Sequence, residues 1–283
     1  MDPSSNKVAI IGASIAGAAL ALSLSRHSIP CRIFEVRSSS VDHFSSGVTI
    51  TPNGCRVLNS LGVLDRIAPK CFRQEKITYK NSADETVEIV ELASRERYGY
   101  QFHRLYRKEL LAELKIMLEE RGIEIEYGTK FERVVSESAE TGVVFELGGG
   151  RVEHAAFLVG ADGIWSSVRK HISPCIPEYT GTVSVSAHIP TATVPWPDES
   201  FSNRYCTIQG KPGALFVIPE VADGSEILVG RQFAHEDLGR DGWETLDADH
   251  QRLISLFRKN YEDWHPTAQG VIDQSNIAEG IRR

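Results

Sequence analysis

The stretch Val8–Ser25, VAIIGASIAGAALALSLS, decides the fold of this chain together with Cys31–Val36, CRIFEV. Val8–Ile11 is a short apolar run typical of a buried strand, and the Ala/Leu-rich segment from Ile15 to about His27 predicts a helix. The second stretch predicts another strand, with an acidic residue near its end. A strand, a glycine turn, a helix and a second strand within about 30 residues are the opening unit of a doubly wound parallel sheet.

The glycine turn has the spacing of a dinucleotide-binding site. Gly12 would form the tight turn, a small residue at Ser14 would let the backbone approach a pyrophosphate, and Gly17 would let the helix pack closely on the strand. The N-terminus of the helix would then direct N–H groups at the phosphates. Glu35 would accept hydrogen bonds from a ribose. A turn of small residues serving packing alone stays open, and so does the choice between FAD and NAD.

The same apolar stretch has a competing interpretation. Between Lys7 and Arg26 the chain carries no charge, which also suits a signal peptide or a short membrane span. The spaced glycines and the strand that follows favour a buried α/β core helix, because such a helix is apolar nearly all round. We therefore predict a cytoplasmic protein without a membrane span.

Composition and charge exclude several other classes. With 283 residues, 41% of them hydrophobic and 24% charged, the chain has the composition of a globular protein. Its net charge of −7 and the absence of a Lys/Arg run argue against a nucleic-acid partner. Five scattered cysteines without CxxC spacing argue against a disulfide framework and a zinc site, and nine histidines show no metal-ligand spacing. We therefore expect no metal, and we assign no catalytic residue.

The rest of the chain alternates between two kinds of structure. Thr51-Pro52 starts a helix that stops at Gly62, and helical spacing returns at Leu110–Leu118. Phe72–Leu92 alternates as an antiparallel hairpin, which does not belong to a parallel sheet. Further predicted strands flank Gly148-Gly149-Gly150 and cover Ala155–Val159, Val183–Ala187, Tyr205–Glu220 and Glu226–Phe233, and predicted helices cover His250–Tyr261 and Thr267–Gln274. The order predicts two interleaved domains.

A second constellation carries a resemblance to a known family. Gly160–Arg169, GADGIWSSVR, closely resembles the G-A-D-G-x-x-S-x-V-R signature of group A flavoprotein monooxygenases, the superfamily that includes para-hydroxybenzoate hydroxylase. Gly47–Leu58 is similar to the segment that passes near the flavin in that family, and His103–Leu111 to the segment whose arginine contacts FAD. Tyr179-Thr180-Gly181 resembles the start of its substrate-domain sheet.

The resemblance implies an FAD-dependent monooxygenase with NADPH or NADH as co-substrate. It would use O₂ to hydroxylate or epoxidise a small organic substrate, aromatic or a secondary metabolite. Residues 1–71 and 100–175 would form a Rossmann-like FAD-binding domain, and 72–99 and 176–283 an antiparallel-sheet substrate domain that is incomplete at its C-terminus. The residues that would contact the cofactor are Gly12, Ser14, Gly17, Glu35, Gly47, Arg104 and Asp162.

Two departures from the family pattern leave an alternative open. Many aromatic hydroxylases of the group carry a Trp-Arg pair where this chain reads Val185–His188, and the chain contains no Gly-Asp dipeptide, the start of the family's third motif. We therefore expect a chain cut before that motif. The alternative is a catalytically deficient relative that only binds a nucleotide or interacts with proteins. A nicotinamide-only dehydrogenase would not account for Gly160–Arg169, and no Trp-x-Trp-x-Ile-Pro segment supports a halogenase.

Overall fold

A computed structural model describes residues 6–38, 46–173, 175–196, 206–210 and 213–275. The end of the chain, where we expected the cut before the third motif, lies outside the described residues, as does Tyr205 at the start of one predicted strand.

The strands are β1 Val8–Ile11, β2 Cys31–Phe34, β3 Gly47–Ile50, β4 Phe72–Gln74, β5 Lys76–Asn81, β6 Thr86–Glu91, β7 Phe102–Tyr106, β8 Ile125–Glu126, β9 Phe131–Ser138, β10 Gly142–Leu147, β11 Arg151–Ala155, β12 Phe157–Gly160, β13 Thr182–Pro190, β14 Cys206–Gly210, β15 Gly213–Pro219 and β16 Glu226–Ala234. The α-helices are α1 Ile15–Arg26, α2 Pro52–Leu61, α3 Leu64–Ile67, α4 Arg95–Tyr98, α5 Arg107–Glu120, α6 Ser167–Ile172, α7 Gly239–Ala248, α8 His250–Arg258 and α9 Pro266–Ser275.

The chain divides into two compact units. Unit 1 comprises Met1–Ser46, Leu58–Ile67 and Arg107–Glu178, and unit 2 comprises Gly47–Val57, Ala68–Tyr106 and Tyr179–Arg283. These bounds differ from our sequence division, because 47–57, 68–71 and 100–106 fall in unit 2 and 176–178 fall in unit 1. Which unit serves the cofactor and which the substrate stays a prediction.

Unit 1 contains the predicted parallel sheet. Its strand order is β12-β1-β2-β8, all parallel, with Val8 opposite Cys31 on one side and Phe157 on the other. Every residue of β1 is buried, as expected for a central strand covered on both faces. Helix α1 packs against β1, β2 and α5 through its apolar side chains. The fold class is therefore confirmed in this unit.

A three-stranded antiparallel sheet, β11-β10-β9, completes unit 1. The predicted strands on either side of Gly148–Gly150 are β10 and β11, and Gly149 and Gly150 both adopt φ of 77°. The buried rings of Phe34, Phe131 and Phe145 join this sheet to the parallel one.

Unit 2 is built on a six-stranded mixed sheet, with the order β13-β16-β15-β14-β5-β6. The predicted hairpin is confirmed as β5 and β6, and β5 pairs in parallel with β14. Alternate residues of β13, β15 and β16 join the core that α7, α8 and α9 cover. A second sheet, β3-β7-β4, is antiparallel and belongs to the same unit.

The helices of unit 2 differ from the sequence expectation in two places. Helix α7 was not predicted, because Gly239 and Gly242 weaken its helical pattern. Helix α8 ends at Arg258 rather than Tyr261, since Asn260 adopts the left-handed conformation with φ of 57°.

Among the described residues, none of the helices combines the length and apolarity that a bilayer crossing needs. The cytoplasmic location stays a prediction.

Candidate functional site

The glycine turn of unit 1 leaves no room for side chains. Gly12 has φ of 106°, and a Cβ there would stand 2.4 Å from the carbonyl oxygen of Ala161. A Cβ on Gly17 would stand 2.0 Å from the carbonyl oxygen of Gly12. Both obstacles are backbone atoms of the sheet and turn, which cannot move aside cheaply. The close approach of α1 to the turn therefore requires glycine at both positions, as the motif predicted.

A cavity of about 640 Å³ opens at this turn. Its volume lies in the range of small-molecule and cofactor sites. Four residues from the sequence prediction line it, namely Gly12, Ser14, Glu35 and Asp162. The other lining residues come from the start of α1, the end of β2, the segment before and into β9, and the turn after β12: Ile11, Ile15, Ala16, Phe34, Val36, Arg37, Arg107, Thr129, Lys130, Phe131, Ala161, Gly163, Trp165 and Ser167.

Glu35 is held in place by two backbone groups. Its Oε2 accepts a hydrogen bond from the N–H of Ala13 at 2.8 Å, and its Oε1 accepts one from the N–H of Arg37 at 2.9 Å. Each carboxylate oxygen has a second lone pair, so a ligand hydroxyl can still bind. The structure therefore places a fixed hydrogen-bond acceptor at the cavity, and its contact with a ribose stays a prediction.

The start of α1 faces the same cavity. Ser14 is its N-cap residue with extended backbone, but the Ser14 side chain makes no capping hydrogen bond. Its Oγ instead accepts a hydrogen bond from Nη2 of Arg107 at 3.3 Å. The first N–H groups of the helix are therefore not satisfied by that side chain, which suits them to an anion.

Asp162 lines the cavity and also hydrogen-bonds to the start of α6. Its Oδ1 accepts a hydrogen bond from Oγ of Ser166 at 2.6 Å, and its Oδ2 accepts one from the N–H of Ser167 at 2.7 Å. These bonds fasten the turn after β12 to the first residues of α6. The carboxylate thus shapes the turn that forms one wall of the cavity.

Arg107 is the cavity residue that sequence reasoning missed. It begins helix α5 and lines the cavity next to Ser14, whereas the prediction named Arg104, three residues earlier. A signal was present, since a cation in the first turn of a helix is unfavourable to the helix dipole. An arginine at that position is better explained by an anion nearby than by the helix.

Arg104 and Gly47 lie in unit 2, where the structure gives them a different partner. Arg104 donates from Nε at 3.2 Å and from Nη2 at 2.9 Å to Oε2 of Glu220, and from Nη1 at 3.2 Å to Oγ1 of Thr49. A Cβ on Gly47 would stand 1.5 Å from Oε1 of Glu220. This buried ion pair explains the glycine without a cofactor. A contact of either residue with FAD stays a prediction.

His188 lies beside this ion pair and is neutral. Its Nε2 is 3.9 Å from Oε2 of Glu220, and its ring packs against Tyr106 at an interplanar angle of 43°, with centroids 5.3 Å apart. Burial, with a smaller contribution from the charge of Arg104, lowers the pKa of His188 to about 4. Burial also raises the pKa of Glu220, although Arg104 acts in the opposite direction.

A buried thiol in unit 2 could be mistaken for a nucleophile. Sγ of Cys55 lies 3.4 Å from Nδ1 of His103. Burial raises the pKa of Cys55 to about 11 and lowers the pKa of His103, so both groups are neutral at pH 7. An activated thiolate needs the opposite shifts, which makes this pair part of the core.

Within the described ranges, no three His, Cys, Asp or Glu side chains come together in the way a metal ion would need.

Comparisons with known proteins place this geometry in a family. The FAD binding domain family matches residues 5–261. A 3-amino-4-hydroxybenzoate 2-monooxygenase of Streptomyces cremeus is 30% identical over 192 residues, 67% of this chain and 48% of that protein. A 6-hydroxynicotinate 3-monooxygenase of Pseudomonas fluorescens is 24% identical over 95% of this chain and 68% of that protein. The chain spans about half the length of the first curated relatives, 48% and 44% for two Streptomyces monooxygenases.

A solved structure extends the likeness to the fold. Klebsiella pneumoniae HpxO, complexed with FAD and uric acid, superposes with a TM-score of 0.76 at 20% identity, over 97% of this chain and 67% of HpxO. The family match covers most of the sequence and includes the glycine turn, Glu35 and the Asp162 segment. This chain therefore belongs to the FAD binding domain family, and the curated proteins to which it is similar are named as monooxygenases.

Proposed function

We propose that this chain binds FAD in the cavity of unit 1 and forms part of an FAD-dependent monooxygenase. NADPH or NADH and O₂ would be its co-substrates, and it would hydroxylate or epoxidise a small aromatic compound or secondary metabolite. The observation that carries the proposal is the cavity itself, which brings the glycine turn, the start of α1, Glu35 and Arg107 to one place.

The residues around the cavity fit the adenosine and pyrophosphate parts of FAD. Glycine at 12 and 17 lets α1 start close to the turn that lines the cavity, so the first N–H groups of α1 lie at the cavity. Arg107 would add a positive charge on the pyrophosphate, and the fixed carboxylate of Glu35 would accept from the ribose hydroxyls. Ser14 in place of glycine is accommodated because its Oγ turns to Arg107.

Glu35, Arg107 and the start of α1 would hold FAD, which would supply the redox and oxygen-transfer chemistry. The protein's part is to hold the cofactor and substrate and to exclude water. Asp162 would contribute by fixing the turn after β12 through Ser166 and Ser167. We assign no catalytic side chain.

The relatives support an aromatic substrate. Their names give 3-amino-4-hydroxybenzoate, 6-hydroxynicotinate and 3-hydroxybenzoate as the compounds on which they act. The alternative is a relative that binds nucleotide without turnover, and no feature of the described residues favours it.

A titration with two matched arginine variants tests the cofactor site. Arg107→Met should weaken FAD binding about tenfold, the loss of one charge-assisted contact. Arg133→Met is the control, because Arg133 lies on β9 of the same unit and pairs with Glu146 away from the cavity. Equal FAD affinities in the two variants, or tight NAD binding without FAD binding by the wild type, would contradict the site.

Turnover needs a separate measurement on flavin-loaded protein. NADPH and NADH oxidation are followed with a panel of aromatic compounds, while hydrogen peroxide and oxygenated product are assayed together. Product that accumulates with nicotinamide oxidation supports the monooxygenase. If the protein bound FAD but oxidised neither NADPH nor NADH with any compound of the panel present, the binding-only alternative would be favoured.

A further inference from the structure

Among the described residues, three aromatic side chains line the cavity of unit 1, and two of them belong to the core. Phe34 and Phe131 are 2% and 5% exposed, and both pack against Phe145, with ring centroids 5.8 and 6.3 Å away. Trp165 is 70% exposed and is not a member of that core cluster. Of these three rings, the indole of Trp165 is therefore the one that can present its face to a ligand.

The backbone on both sides of Trp165 is fixed. The carbonyl oxygen of Gly163 accepts a hydrogen bond from the N–H of Ser166 at 3.1 Å, which closes a turn that contains Trp165. Oγ of Ser166 donates to Oδ1 of Asp162 at 2.6 Å, and Ser166 also caps α6. Because this turn is already ordered, a contact between its side chain and a ligand costs little backbone entropy on binding.

The fold itself gives little reason for an indole at this position. A tryptophan exposed to this extent contributes little to stability by burial. The preceding residue of the same turn, Ile164, is also exposed, at 64%, but it does not line the cavity as Trp165 does. A large aromatic surface left open on a cavity wall is typical of a stacking partner for a ligand ring.

The parts of FAD already assigned to the cavity indicate which ring this is. In the proposed site, Glu35 accepts from the ribose, while Arg107 and the start of α1 bind the pyrophosphate. The adenine is joined directly to that ribose, so it would lie in the same cavity. Every base has a π face on which an aromatic side chain can stack.

We infer that Trp165 stacks its indole on the adenine of FAD and so gives the cavity its preference for an adenine nucleotide. The inference rests on the proposed function, since it names a further contact of the same cofactor. It gives the turn after β12 a binding role in addition to the wall that Asp162 shapes.

Two nucleotides that differ only in the base test the inference on the full chain freed of flavin. ADP carries adenine, and UDP carries a smaller, single-ring base on the same ribose and pyrophosphate. Dissociation constants are measured by calorimetry, and the wild type should bind ADP more tightly. Trp165→Ala should raise the dissociation constant for ADP about tenfold and that for UDP about threefold or less. Ile164→Ala, in the same turn, is the control and should change neither.

Fluorescence supplies a readout that an indirect structural effect would not produce. Of the four tryptophans of the chain, Trp196, Trp243 and Trp264 belong to unit 2. Emission that the wild type has and Trp165→Phe lacks comes from Trp165. Saturating ADP should quench that part of the emission, because a stacked base quenches an indole on contact. Trp165→Phe keeps an aromatic face and should retain most of the ADP affinity.

The outcomes separate this inference from the proposed function. A wild type that bound neither ADP nor FAD would overturn both. If the wild type bound both, unchanged ADP affinity in Trp165→Ala or unquenched Trp165 emission would overturn the inference and leave the FAD site standing. A loss of FAD affinity with ADP affinity unchanged would also overturn it, since the indole would then contact a part of FAD that ADP lacks.

Discussion

The two units use polar residues in opposite ways. In unit 1, Ser14, Glu35 and Arg107 surround an open cavity of about 640 Å³ and keep capacity for a ligand. In unit 2, Arg104 and Glu220 face each other in the interior, with 9% and 0% of their side chains exposed. The same residue types thus serve a ligand site in one unit and an internal pair in the other. The difference lies in the partner of the arginine, which is the carboxylate of Glu220 for Arg104 and the neutral hydroxyl of Ser14 for Arg107.

Glycines show the same contrast. Gly12 and Gly17 are confined by backbone carbonyl oxygens, whereas Gly47 is confined by the carboxylate of Glu220. A backbone obstacle belongs to the fold, while a side-chain obstacle depends on the residues that supply it. The requirement for glycine at 47 is therefore conditional on the Arg104–Glu220 pair, since a Cβ there would also stand 2.6 Å from Nη2 of Arg104.

The largest expected effect comes from breaking the buried pair of unit 2. Arg104→Ala leaves the charge of Glu220 buried without its partner, which should lower the free energy of unfolding by about 3–5 kcal/mol. Urea unfolding of the two proteins measures the difference. The double variant R104M/E220L should recover most of the loss. A loss below about 1 kcal/mol would mean that the pair behaves like an exposed one.

The second effect concerns pH and His188 in the same unit. Its pKa of about 4 lies below the ordinary value of 6.5, so the unfolded chain takes up the proton first as pH falls. The associated stability is fully present above pH 6.5 and is lost toward pH 4, roughly 2–4 kcal/mol in all. His188→Phe should remove this part of the acid sensitivity. If the free energy of unfolding varied with pH in the same way for the wild type and His188→Phe, the pKa of His188 would not differ between the folded and unfolded protein.

The smallest effect should appear in unit 1, and in ligand binding rather than folding. Glu35→Ala removes the proposed ribose acceptor, so FAD affinity should fall by about 1–3 kcal/mol. Flavin titration measures this change, and Glu124→Ala, an exposed glutamate of the same unit, is the control. If Glu35→Ala changed stability more than FAD affinity, its bonds to Ala13 and Arg37 would be its main role.

The sequence was most informative where the partners are close along the chain. Gly12, Gly17 and Glu35 fall within one strand–helix–strand unit, so local spacing predicted both the parallel sheet and the cavity-lining turn. The β5–β6 hairpin was predicted for the same reason, because alternation and a turn are local signals.

Long-range partners could not be predicted in this way. Arg104 and Glu220 are 116 positions apart, and nothing in either segment indicates the other. The resemblance therefore directed attention to Arg104, while the cavity contains Arg107. Local sequence patterns also failed to predict α7. Two glycines weaken its helical pattern, and the burial of Trp243 and Leu246 stabilises the helix.

The hydrogen bonds of Arg231 affect how unit 2 unfolds. Arg231, which is 1% exposed, extends from β16, and its Nη1 donates to the carbonyl oxygens of Leu256 and Phe257 in the last turn of α8. If the final turn of α8 frayed, those bonds would be lost and a charged group would remain in the interior. Fraying of that helix end is thereby suppressed until the sheet itself opens. The amide hydrogens of β16 and of the end of α8 should consequently exchange with solvent as one cooperative unit.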